Sequence, residues 1–210
     1  MPLFKKIEFN AGTQIYIWKI TESFEQLFQE VQLNPICQKR ISNMKSEMHQ
    51  RGFLSVRKLL NEAAYTDFDL FYDEFGKPHL HDGKHISITH SHQFSSIIVS
   101  DEVVGIDIEL QREKIIRIAD KFCDAEFQYL NKETVSEYIK KLTVIWGAKE
   151  AIFKIRNEKG ISFKDHIAVN SFGLDQTTTL ANLHFGGLDK VFKIYFEEVE
   201  DFTLVYALEK

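Results

Sequence analysis

The sequence predicts an α+β protein made of two similar halves, each with a helix packed on a small, mainly antiparallel sheet. In each half a long segment with apolar residues at helical spacing precedes a stretch rich in strand-forming residues. No low-complexity segment or proline- and glycine-rich linker interrupts the 210-residue chain, which exceeds the usual domain size of about 100–150 residues. We therefore expect an N-terminal half at 1–101 and a C-terminal half at 102–210, with the active site in the cleft between them.

The first half is predicted to contain one long helix and then strands. The helix is placed across 37–61 by an apolar stripe at helical spacing, which consists of Ile41, Met44, Met48, Val56 and Leu59. A turn signal, Phe-Gly-Lys-Pro at 75–78, follows this helix. Strands are predicted within 85–100, because polar and β-branched residues alternate there as they do in half-buried strands.

The second half is predicted to open with a strand at 103–110, then a short helix near 115–131 and a longer one that Gly160 closes. The apolar stripe of the longer helix consists of Val135, Tyr138, Ile139, Leu142, Ile145, Trp146 and Phe153. Strands follow around 165–172 and 178–185. A final pair at 191–197 and 202–208 is joined by a largely acidic turn.

Composition narrows the class of protein and its location. A formal net charge of −5 argues against a general nucleic-acid binder, because affinity for the phosphate backbone comes mostly from a basic surface. The lysines near the N-terminus precede no apolar signal region, and no apolar run approaches the roughly 20 residues of a membrane span. We therefore expect a cytoplasmic protein that does not associate with membranes, with Cys37 and Cys123 reduced.

Two carboxylates on the strand at 103–110 form the first candidate site. Asp107 and Glu109 are two residues apart, so they point to the same face of a strand whose other residues are apolar. Two neighbouring carboxylates next to a core need a compensating cation, and carboxylate oxygens suit Mg²⁺ that also binds phosphate. A solvated acidic face on an edge strand is an equally good interpretation of the spacing alone.

A lysine interrupts the apolar stripe of the longer helix. Lys149 lies seven residues after Leu142, at a position that should face the core. Either its ammonium snorkels to water, which is the commoner outcome, or an anionic ligand binds there. Glu150, at the border of the stripe, is a candidate third metal carboxylate, although Glu150 and Lys154 also have the spacing of a surface ion pair.

The helix at 37–61 carries a basic set that contrasts with the acidic whole. It consists of Lys39, Arg40, Lys45, Arg51, Arg57 and Lys58, to which Lys77 and His90 could add donors. These groups could form a phosphate pocket. A solvated helix face is the alternative, and it is correct for most such residues.

Taken together, these motifs resemble a known enzyme family. Gly-Ile-Asp-Ile-Glu at 105–109, followed by Trp-Gly-Ala-Lys-Glu-Ala-Ile-Phe-Lys at 146–154, is similar to the paired signature of the 4′-phosphopantetheinyl transferases. Gly-Lys-Pro at 76–78 and Ser-Ile-Thr-His-Ser at 87–91 occur upstream in the order of the surfactin-synthetase-activating type, and Phe122 to Glu126 resembles its Phe-x-x-x-Glu stretch. Thr89 stands where a small or apolar residue is more usual.

The resemblance implies a pseudo-dimer of two α/β halves that transfers phosphopantetheine from coenzyme A to a serine of an apo acyl or peptidyl carrier protein, releasing 3′,5′-ADP. It implies that Mg²⁺ is held by Asp107, Glu109 and Glu150. Glu150 would be the base, directly or through a metal-bound water, while Lys154 would face the phosphates or assist proton transfer, and Lys149 would also face them. The remaining coenzyme A contacts would be Lys39, Arg40, Arg51, Lys77 and His90.

The resemblance leaves the carrier unidentified, whether from fatty-acid, polyketide or peptide synthesis. A chain with both halves of the cleft needs no partner subunit, so we expect a monomer. One alternative function is a metal-dependent phosphodiesterase or nuclease that uses the same three carboxylates. Another is a module that binds coenzyme A or a carrier protein without turnover.

Overall fold

The computed structural model describes residues 3–210, which form two compact units, 3–103 and Val104–Lys210. Both units are mixed α/β structures in which a helix packs on an antiparallel sheet, as the sequence predicts. In residues 3–210 no helix is long and apolar enough to cross a bilayer.

The first unit contains a four-stranded sheet, a two-stranded hairpin and three helices. The strands are β1 (Leu3–Asn10), β2 (Thr13–Lys19), β3 (Leu70–Tyr72), β4 (Pro78–Leu80), β5 (His85–Ser91) and β6 (Phe94–Ser100), and the helices are α1 (Phe24–Glu30), α2 (Pro35–Ser42) and α3 (Glu47–Glu62). The main sheet has the order β1-β2-β6-β5, and β3 pairs with β4. The core of this unit lies where α3 packs on β2, β5 and β6.

The single helix predicted at 37–61 is two helices, because the chain carries stop and start signals between them. Asn43 ends α2, and its backbone N–H donates to the carbonyls of Arg40 and Ile41. Ser46 begins α3, since its side chain accepts from the backbone N–H of His49. The hairpin of β1 and β2 at the N-terminus was not predicted.

The second unit contains a five-stranded antiparallel sheet crossed by one long helix. Its strands are β7 (Val104–Leu110), β8 (Ile167–Val169), β9 (Thr178–Phe185), β10 (Leu188–Val199) and β11 (Phe202–Glu209), and its helices are α4 (Val135–Arg156) and α5 (Phe163–His166). The strand order is β7-β11-β10-β9-β8, which makes β7 an edge strand of this sheet. The predicted long helix and final strand pair are confirmed, but the helix ends at Asn157, which adopts the left-handed conformation, and not at Gly160 as predicted. The helix predicted at 115–131 is two 3₁₀ helices, Glu113–Lys121 and Ala125–Gln128.

Two glycines allow α4 to lie close to the sheet. A Cβ at Gly105 on β7 would collide with the carbonyl oxygen of Ala151 on α4. A Cβ at Gly147 on α4 would lie 2.7 Å from Cγ2 of Val205 on β11. The helix therefore approaches β7 and β11 more closely than side chains at these positions would permit, which brings the charged residues of α4 next to those of β7.

Candidate active site

An acidic centre lies where β7 faces α4. Asp107 is 5% exposed and lies on the same face of β7 as Gly105, which touches α4. Lys154 donates from Nζ to Oδ1 of Asp107 at 2.8 Å and to the carbonyl oxygen of Ile106 at 2.8 Å. The alternative interpretation of Lys154, an i, i+4 surface pair with Glu150, differs from this contact between helix and strand.

Glu150 belongs to the same centre. Its burial raises its pKa to about 7, and the charge of Asp107, and to a smaller extent that of Glu109, adds to the increase, which Lys154 partly opposes. All three predicted carboxylates therefore lie close enough for their charges to interact. A carboxyl whose pKa is near 7 can accept a proton at neutral pH and release it again.

The donor chemistry of this centre fits Mg²⁺, which prefers carboxylate oxygens. Asp107 on β7 is largely buried. The charges of Asp107 and Glu109 raise the pKa of Glu150, and a cation bound between these three carboxylates would relieve their mutual repulsion. Across residues 3–210, however, no three His, Cys, Asp or Glu side chains are already gathered as a metal-ligand cluster. In this structure a nearby positive charge comes from Lys154, which contacts Asp107.

The raised pKa of Glu150 predicts an unusual dependence of stability on pH in metal-free protein. The pKa of its carboxyl is about 7 in the folded state against 4.5 for an ordinary glutamate, so the folded state retains a proton that the unfolded state releases between these pH values. The stabilising contribution is complete below pH 4.5 and is lost as pH rises through 7. Over this range in EDTA, we expect the free energy of unfolding of wild type to fall by on the order of 2–3 kcal/mol more than that of Glu150→Gln, as measured by urea titration.

Glu137→Gln, an exposed change on α4, is the control and should follow wild type. Parallel curves of unfolding free energy against pH for wild type and Glu150→Gln would contradict the prediction.

Lys149 does not have the surroundings that the sequence analysis expected. Its side chain is 0% exposed, and Nζ lies 2.7 Å from Oε1 of Glu126, whose side chain is 1% exposed. Nζ also donates to the carbonyl oxygens of Phe122 at 2.6 Å and Phe163 at 2.9 Å. The expected contact with substrate phosphate is therefore wrong for this arrangement, because the ammonium is enclosed by protein acceptors. The charge of Lys149 is neutralised by the buried carboxylate of Glu126, and neither by solvent nor by a bound anionic ligand.

The predicted basic residues of the first unit lie on separate elements. Lys39 and Arg40 are exposed on α2, and the guanidinium of Arg40 lies 5.2 Å from the ring of Tyr72 on β3. Tyr72 pairs with Pro78, which follows Lys77 in the β3–β4 turn. Arg40 and Lys77 are thus brought to one region of this unit.

Arg51 and His90 are brought to another region, at the face of α3. His90 is exposed at the end of β5, and a Cβ at Gly52, next to Arg51, would lie 3.0 Å from its Nδ1. Gly52 therefore makes room for the imidazole against α3. Arg51 is half-buried, and its Nη2 donates to the carbonyl oxygen of Ile20 at 3.3 Å.

Two members of the predicted basic set are engaged elsewhere. Arg57 is 2% exposed and its Nε lies 2.8 Å from Oδ1 of Asp67, so it cannot reach a ligand phosphate. Lys58 pairs with Glu30 at 2.9 Å. The expected part of Arg57 in a phosphate pocket is therefore wrong, because its guanidinium is buried against Asp67, whereas Lys58 is paired with a half-exposed carboxylate.

A pocket of about 160 Å³ lies beside the acidic centre, within the second unit. It is lined by Glu109, Leu110, Arg112, Lys114, Ile115, Ile118 and Trp146. Arg112 and Lys114 were not singled out from the sequence as site residues, although two basic residues directly after the Asp-x-Glu strand are a visible signal. Glu126 likewise had no predicted role, because its partner Lys149 cannot be deduced from sequence spacing.

Comparison with known proteins gives two matches. Residues 103–207, half of the chain, match the model of a family described as the 4′-phosphopantetheinyl transferase superfamily. A stretch of 108 residues is 32% identical to the 4′-phosphopantetheinyl transferase gsp of Aneurinibacillus migulanus. That alignment covers 51% of this chain and 44% of the relative, so the match spans less than half of the relative's length. The family match includes β7, α4 and most of β11, which together carry the acidic centre.

Proposed function

The chain belongs to the 4′-phosphopantetheinyl transferase superfamily, and we propose that it transfers phosphopantetheine from coenzyme A to a serine of an apo carrier protein, with Mg²⁺ as cofactor. The observation that carries this proposal is the acidic centre of Asp107, Glu150 and Lys154, which β7 and α4 form inside the matched segment. Its carboxylates and lysine are the groups that phosphoryl transfer requires for charge neutralisation and proton transfer.

In the proposed reaction the serine Oγ of the carrier attacks the β-phosphorus of coenzyme A. A new P–O bond forms to the serine, the pyrophosphate P–O bond breaks, and 3′,5′-ADP leaves with the bonding electrons. Glu150 is the proposed base for the serine proton, directly or through a water, and its position beside Asp107 and Lys154 in the acidic centre supports this role. Lys154 supplies positive charge next to Asp107 and is the candidate to face the phosphates.

Mg²⁺ would be held by Asp107, Glu109 and Glu150, and when bound it neutralises charge on the pyrophosphate. Residues of the first unit are proposed to hold the rest of the nucleotide. These are Lys39, Arg40, Arg51, Lys77 and His90, and Arg40 and Lys77 in one region with Arg51 and His90 in another support two sets of contacts. Lys149 is excluded from this set by its buried pairing with Glu126.

The transfer itself is tested by mass spectrometry of purified apo carrier proteins. Carriers of the fatty-acid and synthetase types are incubated with this protein, coenzyme A and Mg²⁺, with and without EDTA. The expected result is a gain of one phosphopantetheine mass on at least one carrier, lost with EDTA and absent when the acceptor serine is replaced by alanine.

The other outcomes identify the competing functions. Release of nucleotide products from DNA or RNA without carrier modification would favour a metal-dependent phosphodiesterase or nuclease. Calorimetric binding of coenzyme A without metal dependence, and with no modification of any carrier, would favour a binding module without turnover.

A further inference from the structure

Glu126 and Lys149 form a fully buried ion pair that the proposed reaction does not use. Their side chains are 1% and 0% exposed, and Oε1 and Nζ lie 2.7 Å apart. Burial lowers the pKa of Lys149, which the carboxylate of Glu126 opposes. A charge pair in such a place costs desolvation, and a well-packed apolar pair of similar volume is often at least as stable. Stability alone is therefore a weak reason for the pair.

The pair is the centre of a set of hydrogen bonds that joins four segments. Oε1 of Glu126 accepts from the backbone N–H of Val169 on β8 at 2.9 Å, and Oε2 accepts from that of Asp124 at 3.1 Å. Lys149 on α4 donates to the carbonyl oxygens of Phe122 and of Phe163, the first residue of α5. Each of these bonds has a fixed direction and length, so together they determine how the 3₁₀ segment lies against α4.

That segment and α4 supply the two sides of the pocket beside the acidic centre. The 3₁₀ helix Glu113–Lys121 contributes Ile115 and Ile118, and α4 contributes Trp146, one turn before Lys149. The ring of Phe122 packs edge-on against that of Trp146, with centroids 5.1 Å apart. A shift of the 3₁₀ segment would therefore move one wall of the pocket relative to Glu109 and Trp146.

We propose that Glu126, acting through Lys149, is a positioning residue that holds the 3₁₀ segment at 113–128 against α4 and so fixes the pocket where the acceptor protein binds. The assignment of the pocket to the acceptor rests on the proposed function. It is supported by the chemistry of the lining, in which Arg112 and Lys114 lie next to Ile115 and Ile118 and would suit an acidic protein with an apolar contact surface. Apart from Lys154 on α4, the nucleotide contacts proposed above lie on elements that do not line this pocket.

The test is a double variant, Glu126→Leu with Lys149→Met, which removes both charges and keeps the site apolar and filled. The variant should stay folded because no buried charge is left unpaired, but its midpoint of thermal unfolding should fall, since the backbone groups of Val169, Phe122 and Phe163 lose their side-chain partners. The KM for the acceptor should rise about tenfold or more, because small misplacements of binding groups have effects of this size. The KM for coenzyme A should change less than about twofold, and amide hydrogen exchange over 113–128 should become faster.

The control is Lys140→Met with Glu198→Leu, which removes an exposed ion pair between α4 and β10 and should leave both KM values unchanged. A KM for the acceptor equal to that of wild type in a folded double variant would overturn the proposal, as would equal rises in both KM values. Glu126→Asp is a second variant in case the double variant does not fold, because it keeps a carboxylate for Lys149 and only shortens the side chain, and it should show the same split of KM values to a smaller extent. If wild type itself modifies no carrier, the proposed function fails, whereas unchanged hydrogen exchange over 113–128 would overturn the positioning role independently.

Discussion

Replacement of Asp107 by asparagine is expected to lower carrier modification by roughly 1000-fold or more while leaving the protein folded. The substitution keeps the size of the side chain and a carbonyl oxygen for Lys154, so the contact between β7 and α4 can persist. It removes the charge of a proposed metal ligand, and a bound metal ion supplies several kcal/mol of charge stabilisation, where each 1.36 kcal/mol is a factor of ten in rate. Initial rates of phosphopantetheine transfer measured by mass spectrometry give the ratio directly.

A second readout separates the proposed metal role from a general loss of activity. Calorimetry with Mg²⁺ or Mn²⁺ should show binding to wild type and a large loss of affinity in Asp107→Asn. Asp189→Asn, an exposed change on β10 in the same unit, serves as the matched control and should behave like wild type in both measurements. Near-wild-type transfer by Asp107→Asn would remove Asp107 from the metal site.

The acidic centre could be predicted from sequence because its parts lie on elements with clear periodicity. Alternation along β7 placed Asp107 on one face, and the 3.6-residue repeat placed Glu150 at the edge of the apolar stripe of α4. The close approach of these elements depends on Gly105 and Gly147, each of which meets the opposite element where a side chain would stand. The need for glycine at these two positions is apparent only once the packing of α4 on the sheet is known.

The surroundings of Lys149 could not be predicted because its partner belongs to a segment without regular periodicity. The apolar stripe correctly indicated that Lys149 faces the core, but it left open what neutralises its charge. Glu126 is in a 3₁₀ helix, where neither the helical nor the strand repeat indicates which side chains point inward.

In the first unit, the break between α2 and α3 is marked by helix-capping residues that the prediction from the apolar stripe did not take into account. The residues Ile41, Met44, Met48, Val56 and Leu59 have helical spacing across the break, although Asn43 and Ser46 are residues that end and begin helices. Of the basic residues on these helices, Arg57 faces inward and Lys39 faces solvent. Charge alone could not distinguish them, because a buried partner such as Asp67 lies outside the helix.

Loss of Asp67 is expected to cause the largest destabilisation of the first unit, about 3–5 kcal/mol for Asp67→Ala, because it leaves a buried guanidinium without its counter-ion. Arg57 is enclosed: its Nη1 donates to the carbonyl oxygen of Phe53 at 3.2 Å, and its guanidinium lies 3.5 Å from the ring of that residue. Asp67 also accepts from the backbone N–H of Asn34 at 2.9 Å, and Asn34 caps the N-terminus of α2. One substitution thus removes a charge partner and loosens the start of the helix that carries Lys39 and Arg40.

Chemical denaturation combined with hydrogen exchange over α2 and α3 tests this expectation. Glu30→Gln provides the contrast, since it breaks the half-exposed pair with Lys58 and should cost no more than about 1 kcal/mol. In the double variant Asp67→Ala with Arg57→Met, most of the lost stability should return, because the remaining side chain carries no buried charge. If Asp67→Ala is no less stable than Glu30→Gln, the Arg57–Asp67 pair does not hold α2 and α3 together. If it is much less stable and the double variant recovers, the penalty comes from the unpaired guanidinium rather than from the loss of packing.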